Sequence, residues 1–366
     1  MTTMTDQHPA TRPSDALSPA QLMHLLRQMM LIRRFEERTA QSYQQAKIGG
    51  FCHLYIGQEA VAVGSVAGVN PDDPIITAYR DHGHALARGM DPRYAMAEMH
   101  GKVTGCAKGK GGSMHFFDKP HQMYGGHAIV GGQCPMGVGL AFGIQYNKEH
   151  KVCLCYLGDG ALNQGALHEA MNLAGIWRLP IIFVVENNGY SMGTRISRGT
   201  SCAQDLSVKA AAYGLQFARC DGMDVLSVYD TFKTVADQVR GSTCQALGYA
   251  EDSGGGAAFI DVQTYRFKGH SMSDPQKYRT KEEVVQYEEQ DPIQTLTQTL
   301  IERRITTPEQ IEAIDAQVKQ QVLDAVQYAN ESPVPPLEEL YTDVYVEPYG
   351  PYKVGQPPLL MKDVQS

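Results

Sequence analysis

The sequence predicts an α/β protein: a mostly parallel sheet with helices on both faces, a helical N-terminal arm before it and a C-terminal extension after it. Three observations predict this. Residues 152–157 and 181–185 are short, uninterrupted apolar runs, the pattern of strands buried on both faces. Between them Leu167, Ala170, Met171, Ala174 and Trp177 recur on one helical face, and Pro180 stops the helix. Each run ends in a polar cluster, Gly158-Asp159-Gly160 after the first and Glu186-Asn187-Asn188-Gly189-Tyr190 after the second. That order describes a parallel strand–helix–strand unit. Its two strands end at one edge of the sheet, where open α/β sheets bind ligands.

Composition narrows the class. Of 366 residues, 43% are hydrophobic and 20% charged, an ordinary globular balance. The formal net charge of −8 argues against nucleic acid or an anionic membrane as partner. No apolar run approaches a membrane span. Eight cysteines include no Cys-x-x-Cys, and Cys153 and Cys155 share one strand face as small buried side chains; a reduced compartment follows.

Taken in order, residues 1–17 read as a disordered lead. With no apolar core and few basic residues it is neither a signal peptide nor a good mitochondrial presequence. A bacterial cytoplasmic protein is expected, or a mitochondrial matrix protein if the chain is a processed form. Residues 18–330 read as one α/β domain. Ser18-Pro19-Ala20-Gln21 is a capping box with Pro at the first helical position. Leu22, Leu25, Leu26 and Met29 follow at helical spacing to about Ala46, and the charged residues 33–38 are expected on a solvated or partner-facing surface. Residues 75–84 form a short strand ending in charge. The stretch with Gly105, Gly109, Gly111 and Gly112 lacks the Gly-Lys-Ser/Thr ending of a phosphate loop and reads as a tight or mobile loop. Residues 118–123 read as surface. Residues 125–132 read as a close backbone approach leading into a helix from about Pro135, whose small residues suit close packing, with a second subunit as a candidate partner. Later come a loop at 195–205, a helix at 224–240, a flexible turn at 251–256 and a strand at 257–264. Thr280, Asp291-Pro292 and Thr307-Pro308 open helices, the last with Ile311, Ile314, Val318 and Val322 on one face. Residues 331–366 form an extended Pro-rich tail.

The chemistry of the central edge is specific. Asp159 offers a carboxylate, Asn188 a side-chain carbonyl and the Tyr190 region a backbone carbonyl. These are few, hard oxygen donors, which suit Mg²⁺ sharing its shell with phosphate oxygens and water. Gly160 allows close backbone approach, and the following helix start aims N–H groups at an anion. The site expected is Mg²⁺ with a diphosphate. Gly-Asp-Gly also occurs in haloacid-type phosphatases, but those need a nucleophilic Asp-x-Asp, and the chain has none. A scaffold with a degenerate site is disfavoured by the intact Asp159/Asn188 pair. Arg80, at a strand end, suits either a phosphate or an ion pair with Asp81. His53 suits either a structural or a functional role; His270, at a strand end among polar residues, suits an acid–base or charge-stabilising one.

Gly-Asp-Gly, a helix, then Asn-Asn resembles the thiamine diphosphate motif. With Tyr79-Arg80, Gly111-Gly112-Ser113-Met114-His115 and Gly269-His270-Ser271-Met272-Ser273-Asp274-Pro275, the chain resembles the alpha subunits of thiamine-dependent 2-oxo acid dehydrogenases from about residue 18 to about 345. The resemblance implies a thiamine diphosphate-binding fold. It implies Mg²⁺ held by Asp159, Asn188 and the Tyr190 carbonyl, and a diphosphate held by Tyr79, Arg80, Gly160 and Ala161. The backbone at Ala128 and Val130 would hold the central part of the cofactor. His53 and His270 would meet substrate and intermediates, with His270 also at the cofactor. The implied reaction is oxidative decarboxylation of pyruvate, with the acetyl group passing to the lipoyl domain of dihydrolipoyl acetyltransferase. Branched-chain 2-oxo acid and acetoin dehydrogenases are the close alternatives; the run from Gly269 to Pro275 favours pyruvate. Members of the family activate the cofactor through a Glu that a beta subunit supplies. A heterotetramer of two alpha and two beta chains is therefore implied, with no activity from this chain alone. Where mitochondrial relatives carry a second phosphorylated Ser, this chain has Gln276-Lys277, so Ser271 is expected to be unmodified.

Overall fold

A computed structural model describes residues 12–246 and 256–344. In chain order the main elements are α1 (Pro19–Gln44), α2 (Glu59–Ala67), β1 (Ile75–Ala78), α3 (His82–Ala87), α4 (Pro92–Met99), β2 (Met123–His127), α5 (Gln133–Tyr146), β3 (Cys153–Gly158), α6 (Gly165–Trp177), β4 (Ile181–Asn187), a small hairpin of β5 (Tyr190–Ser191) and β6 (Thr194–Arg195), α7 (Ile196–Gly199), α8 (Ser207–Ala212), β7 (Gln216–Asp221), α9 (Val225–Ala246), β8 (Ala258–Gln263), α10 (Lys281–Glu288), α11 (Pro292–Glu302) and α12 (Pro308–Glu331).

The six long strands form one parallel sheet in the order β2-β1-β3-β4-β8-β7. Side chains alternate between its faces with the period of two that a strand imposes. Leu154, Tyr156, Ile182, Val184, Ala258 and Ile260 join a core with α1, α2, α9 and α12. Cys153, Cys155, Leu157, Ile181, Phe183, Val185 and Phe259 join a second core with α5, α6 and α8. The continuous apolar runs are thus explained: each strand is covered twice. The chain leaves β1 for β2 on one side, then crosses back to β3 on the other. The strand order reverses beside β1, and the crevice at the carboxyl ends of β1, β3 and β4 is the expected ligand position.

Helix starts follow their sequence signals. Ser18 Oγ accepts from Gln21 N at 3.3 Å while Gln21 Oε1 accepts from Ser18 N at 2.9 Å; Thr307 and Gln310 repeat the pattern. Such a cap contributes about 1 kcal/mol. At Thr280 only half of the box forms, because the Glu283 side chain is engaged elsewhere.

Several expectations change. Residues 123–127 are a strand, although two of the five are glycine: Gly126 runs so close to Asp81 that a Cβ would lie 1.9 Å from its Oδ2. Trp177, expected on the buried face of α6, is 45% exposed and packs on Phe142. The segment 33–38 is solvated on one side only, where Glu37 and Arg38 lie. Arg33 pairs with Glu59 at 2.5 Å and Asp291 at 2.8 Å, and Glu36 is wholly buried. The end of the lead is structured: Pro13–Ala16 is a 3₁₀ turn whose Ser14 N and Oγ donate to Asp230 on α9 at 2.6 and 2.9 Å. The glycine-rich loop closes around an internal anion. Buried Glu98 accepts from the backbone N–H groups of Ala107, Gly109, Gly111 and Gly112 at 2.7–3.0 Å. The start of the tail packs on this loop, with Lys108 on Asp343 and Lys110 on Glu339, each at 2.8 Å. Residues 1–11, most of the expected turn at 251–256, and the tail beyond 344 lie outside the described residues.

Candidate active site

Parallel pairing of β3 with β4 aligns Gly158 with Glu186, so Asp159 and the Asn187-Asn188 pair leave the sheet side by side. Asp159 is buried, and its Oδ2 has no hydrogen-bond partner. Burial pushes its carboxyl up to about 6, against the pull of Arg266 and the Gly160 N–H. An ionised oxygen held dry and unpartnered is costly unless a cation meets it. Asn188 Nδ2 donates to Gln58 Oε1 at 3.1 Å, and Asn188 Oδ1 accepts from Tyr190 N at 3.2 Å. The amide is thereby oriented, with its oxygen and the Tyr190 backbone on one turn. Among the described residues no three His, Cys, Asp or Glu side chains converge, so the candidate cation site rests on oxygen donors of mixed type, and these fit Mg²⁺.

Two details of this edge differ from the sequence reading. After Gly-Asp-Gly the chain makes a 3₁₀ turn, Asp159–Asn163, before α6 begins at Gly165, so the N–H groups beside Asp159 belong to that turn. The near neighbour of Gly160 is Ser191: a Cβ at Gly160 would stand 2.4 Å from Ser191 Oγ. Glycine here lets the hairpin close over the Asp159 turn. Ala161 is buried beside it.

A second cluster gathers from three separate segments. The rings of His53 and Tyr79 lie 4.6 Å apart, His53 and His270 5.2 Å, and Tyr79 and His270 5.8 Å. Arg80 binds two of these segments together, donating to the Leu54 carbonyl at 2.6 Å and the His270 carbonyl at 2.8 Å. It makes no pair with Asp81, whose Oδ2 accepts from Phe116 N at 2.9 Å. Burial and nearby Arg266 lower the Arg80 pKa to about 10, which leaves it cationic at neutral pH. The same burial, with Arg80 close by, lowers His53 to about 2 and His270 to about 4. Both imidazoles are therefore neutral at physiological pH. On the other flank, β2 ends in the loop with Ala128 half-buried and Val130 exposed, and His115 Nδ1–H donates to the Gly126 carbonyl at 2.9 Å.

Beneath the rings lies a polar layer that the sequence reading missed. Glu36 accepts from Tyr55 N at 2.7 Å and faces His82 Nδ1 at 2.9 Å, while His82 Nε2 meets the Ser113 carbonyl at 2.9 Å. A carboxylate at one nitrogen and a carbonyl at the other favour the charged ring. Burial works against that charge, and Glu36, with Asp81 and the Ser113 carbonyl, offsets it, raising the pKa. Ser113 Oγ in turn accepts from His53 N at 3.2 Å. Tyr55 Oη donates to Glu186, which His84 Nε2 also meets at 3.2 Å. Spacing holds the clue to Glu36. It follows Leu22, Leu25, Met29 and Ile32 at helical intervals and so falls on the buried face of α1.

Comparison with known proteins places the chain in a family. A model of the dehydrogenase E1 component family matches residues 27–338. The pyruvate dehydrogenase E1 component subunit alpha of Rickettsia conorii is 47% identical over 317 residues, which cover 87% of this chain and 93% of that protein. The subunit of the same name from Zymomonas mobilis is 45% identical over 331 residues, 90% of each chain. The testis-specific mitochondrial form from Rattus norvegicus is 43% identical over 342 residues, 93% of this chain and 83% of its own. Matched across this span, and similar to these relatives over most of their length, the chain belongs to the dehydrogenase E1 component family.

Proposed function

We propose that this chain is the alpha subunit of a pyruvate dehydrogenase decarboxylating component that uses thiamine diphosphate and Mg²⁺. The observation that carries the reading is the buried, unpartnered Asp159 carboxylate oxygen beside the oriented Asn188 amide and the Tyr190 backbone. Asp159, Asn188 and the Tyr190 carbonyl hold Mg²⁺. Tyr79, Arg80, Gly160 and Ala161 hold the diphosphate, with further donors on the Arg80 guanidinium beyond the two that tie the loops. The backbone at Ala128 and Val130 supports the cofactor's ring part. Thiamine diphosphate, when bound, supplies the electron sink for decarboxylation.

The chain's own residues bind and orient. His53 and His270, kept neutral by burial beside Arg80, offer hydrogen bonds to the oxo acid without adding fixed charge. His270, beside His53 and Tyr79, would lend a hydrogen bond at the reacting end, and the acetyl group would go to the lipoyl domain of dihydrolipoyl acetyltransferase. A beta subunit completes the site in an assembly of two alpha and two beta chains. The component works in the cytoplasm of a bacterium.

The test is co-expression with the beta chain. Initial rates on pyruvate, 2-oxoisovalerate and acetoin are compared, and thiamine diphosphate binding is measured by calorimetry with and without Mg²⁺. Fastest turnover on pyruvate and Mg²⁺-dependent binding are expected. Turnover by the alpha chain alone, or preference for another substrate, overturns the reading.

A further inference from the structure

Glu283 stands in the first turn of α10 and belongs to none of the groups assigned above. Its carboxylate accepts from Tyr190 Oη at 2.8 and 3.1 Å, from Tyr265 Oη at 3.1 Å and from Arg195 Nη2 at 2.7 Å. Tyr190 and Arg195 are cross-strand partners in the β5–β6 hairpin. Tyr265 lies just past β8, at the root of the segment that carries His270. One carboxylate therefore ties the hairpin to that segment. Rings and guanidinium groups close around it: Arg195 lies over Tyr190 at 4.9 Å, Tyr190 against Tyr278 at 5.4 Å, and Tyr265 stacks flat on Tyr287 at 3.9 Å.

The hairpin needs such an anchor. Each of its strands is two residues long, far too short to hold a shape alone. Its near end is set by the Asn188–Tyr190 turn. The Glu283 carboxylate holds this same end from the other side, through the Tyr190 phenol and Arg195, which face each other across the two strands. Hydrogen bonds to an ionised carboxylate are the stronger kind, and interaction with its donors keeps the Glu283 pKa low despite burial.

We propose that Glu283 is a positioning residue for the cation site: acting through the Tyr190 phenol, it aims the Tyr190 carbonyl at the cation alongside Asn188 and Asp159. The proposal rests on the Mg²⁺ reading above. It makes cation affinity depend on a carboxylate outside the ligand set, and it explains why the hairpin carries both Tyr190 and Arg195.

The test uses the full chain with its beta partner. Mg²⁺ is titrated at saturating thiamine diphosphate for the parent, Glu283→Gln, Glu283→Ala, Tyr190→Phe and the Glu283→Ala/Tyr190→Phe double variant. Glu283→Ala should raise the Mg²⁺ Kd about tenfold, Glu283→Gln less, since its amide oxygen still accepts. Tyr190→Phe should reproduce most of the Glu283→Ala effect, and the double variant should add little to it, as expected when two groups act through one bond. A general loss of packing would instead lower thermal stability and leave the two effects additive. If Glu283→Ala does not fold, Glu283→Gln and Tyr190→Phe carry the test. Kd values within twofold of a parent that binds Mg²⁺ normally, or additive effects, overturn the role of Glu283 and leave the site assignment standing. A parent without Mg²⁺-dependent binding overturns both.

Discussion

Replacing Asp159 by Asn should make the metal-free protein relatively more stable as pH rises. Burial moves the folded carboxyl from its usual 3.8 up to about 6. Between those values the folded chain keeps a proton that the unfolded chain has released, so each increase in pH favours unfolding. A shift of roughly two pH units corresponds to about 3 kcal/mol. That stability is present in full below pH 4 and is lost as pH climbs through 6. At this chain length the loss amounts to about 4 °C in Tm. Asn cannot ionise, so its baseline should lack the slope; any fixed cost of an unpartnered amide would offset the curve without tilting it. The assay is a series of thermal melts of the metal-free protein from pH 4 to pH 8, parent beside Asp159→Asn. The difference should grow by about 4 °C in favour of the variant. In the parent, protons should compete with Mg²⁺, weakening it about tenfold for each pH unit below 6. A flat difference, or a parent that gains on the variant at high pH, refutes the argument that Asp159 is held ready for a cation.

Three further outcomes follow from the geometry. With His53 near 2 and His270 near 4, neither should give a limb near pH 6.5 in a kcat/KM profile; a limb there that vanishes in His270→Asn would contradict their neutral state, and His270→Asn should lower turnover about 10²-fold. Glu98→Ala strands four backbone N–H groups and should cost at least about 3 kcal/mol, seen as a lower Tm with earlier tryptic cleavage at Lys108 and Lys110. Glu36→Ala strands the buried Tyr55 N–H and the His82 Nδ1 side it faces and should destabilise the protein by about 3 kcal/mol, read by chemical denaturation.

The sheet was legible wherever burial on both faces wrote itself as unbroken apolar runs, as in 152–157 and 181–185. It was illegible in β2, where Gly125 makes room for the Phe117 ring and Gly126 for Asp81, leaving no strand-like pattern. The Asp159/Asn188 edge could be read because parallel connectivity alone places two strand ends together. His53, Tyr79 and His270 could each be named, yet their convergence is a tertiary event, made by Arg80 reaching two carbonyls from different segments. Arg33, Glu36 and Glu98 were missed for one reason. Charged residues are assigned to the surface by default, and only their partners, far away in sequence, reveal otherwise. For the glycine-rich loop the correct question was which anion it surrounds; the answer is a side chain of the protein itself, supplied by α4.

Strand β8 is the last of the six to be synthesised, yet it lies between β4 and β7. Until it emerges from the ribosome, both of those neighbours present open edges, the kind of surface on which growing chains pair wrongly. Its insertion seals two edges in one event. The next residues to be made include His270, whose ring joins those of His53 and Tyr79. A chain interrupted before β8 therefore has neither a finished sheet nor the three-ring cluster, and assembly of the scaffold is a precondition for bringing those rings together.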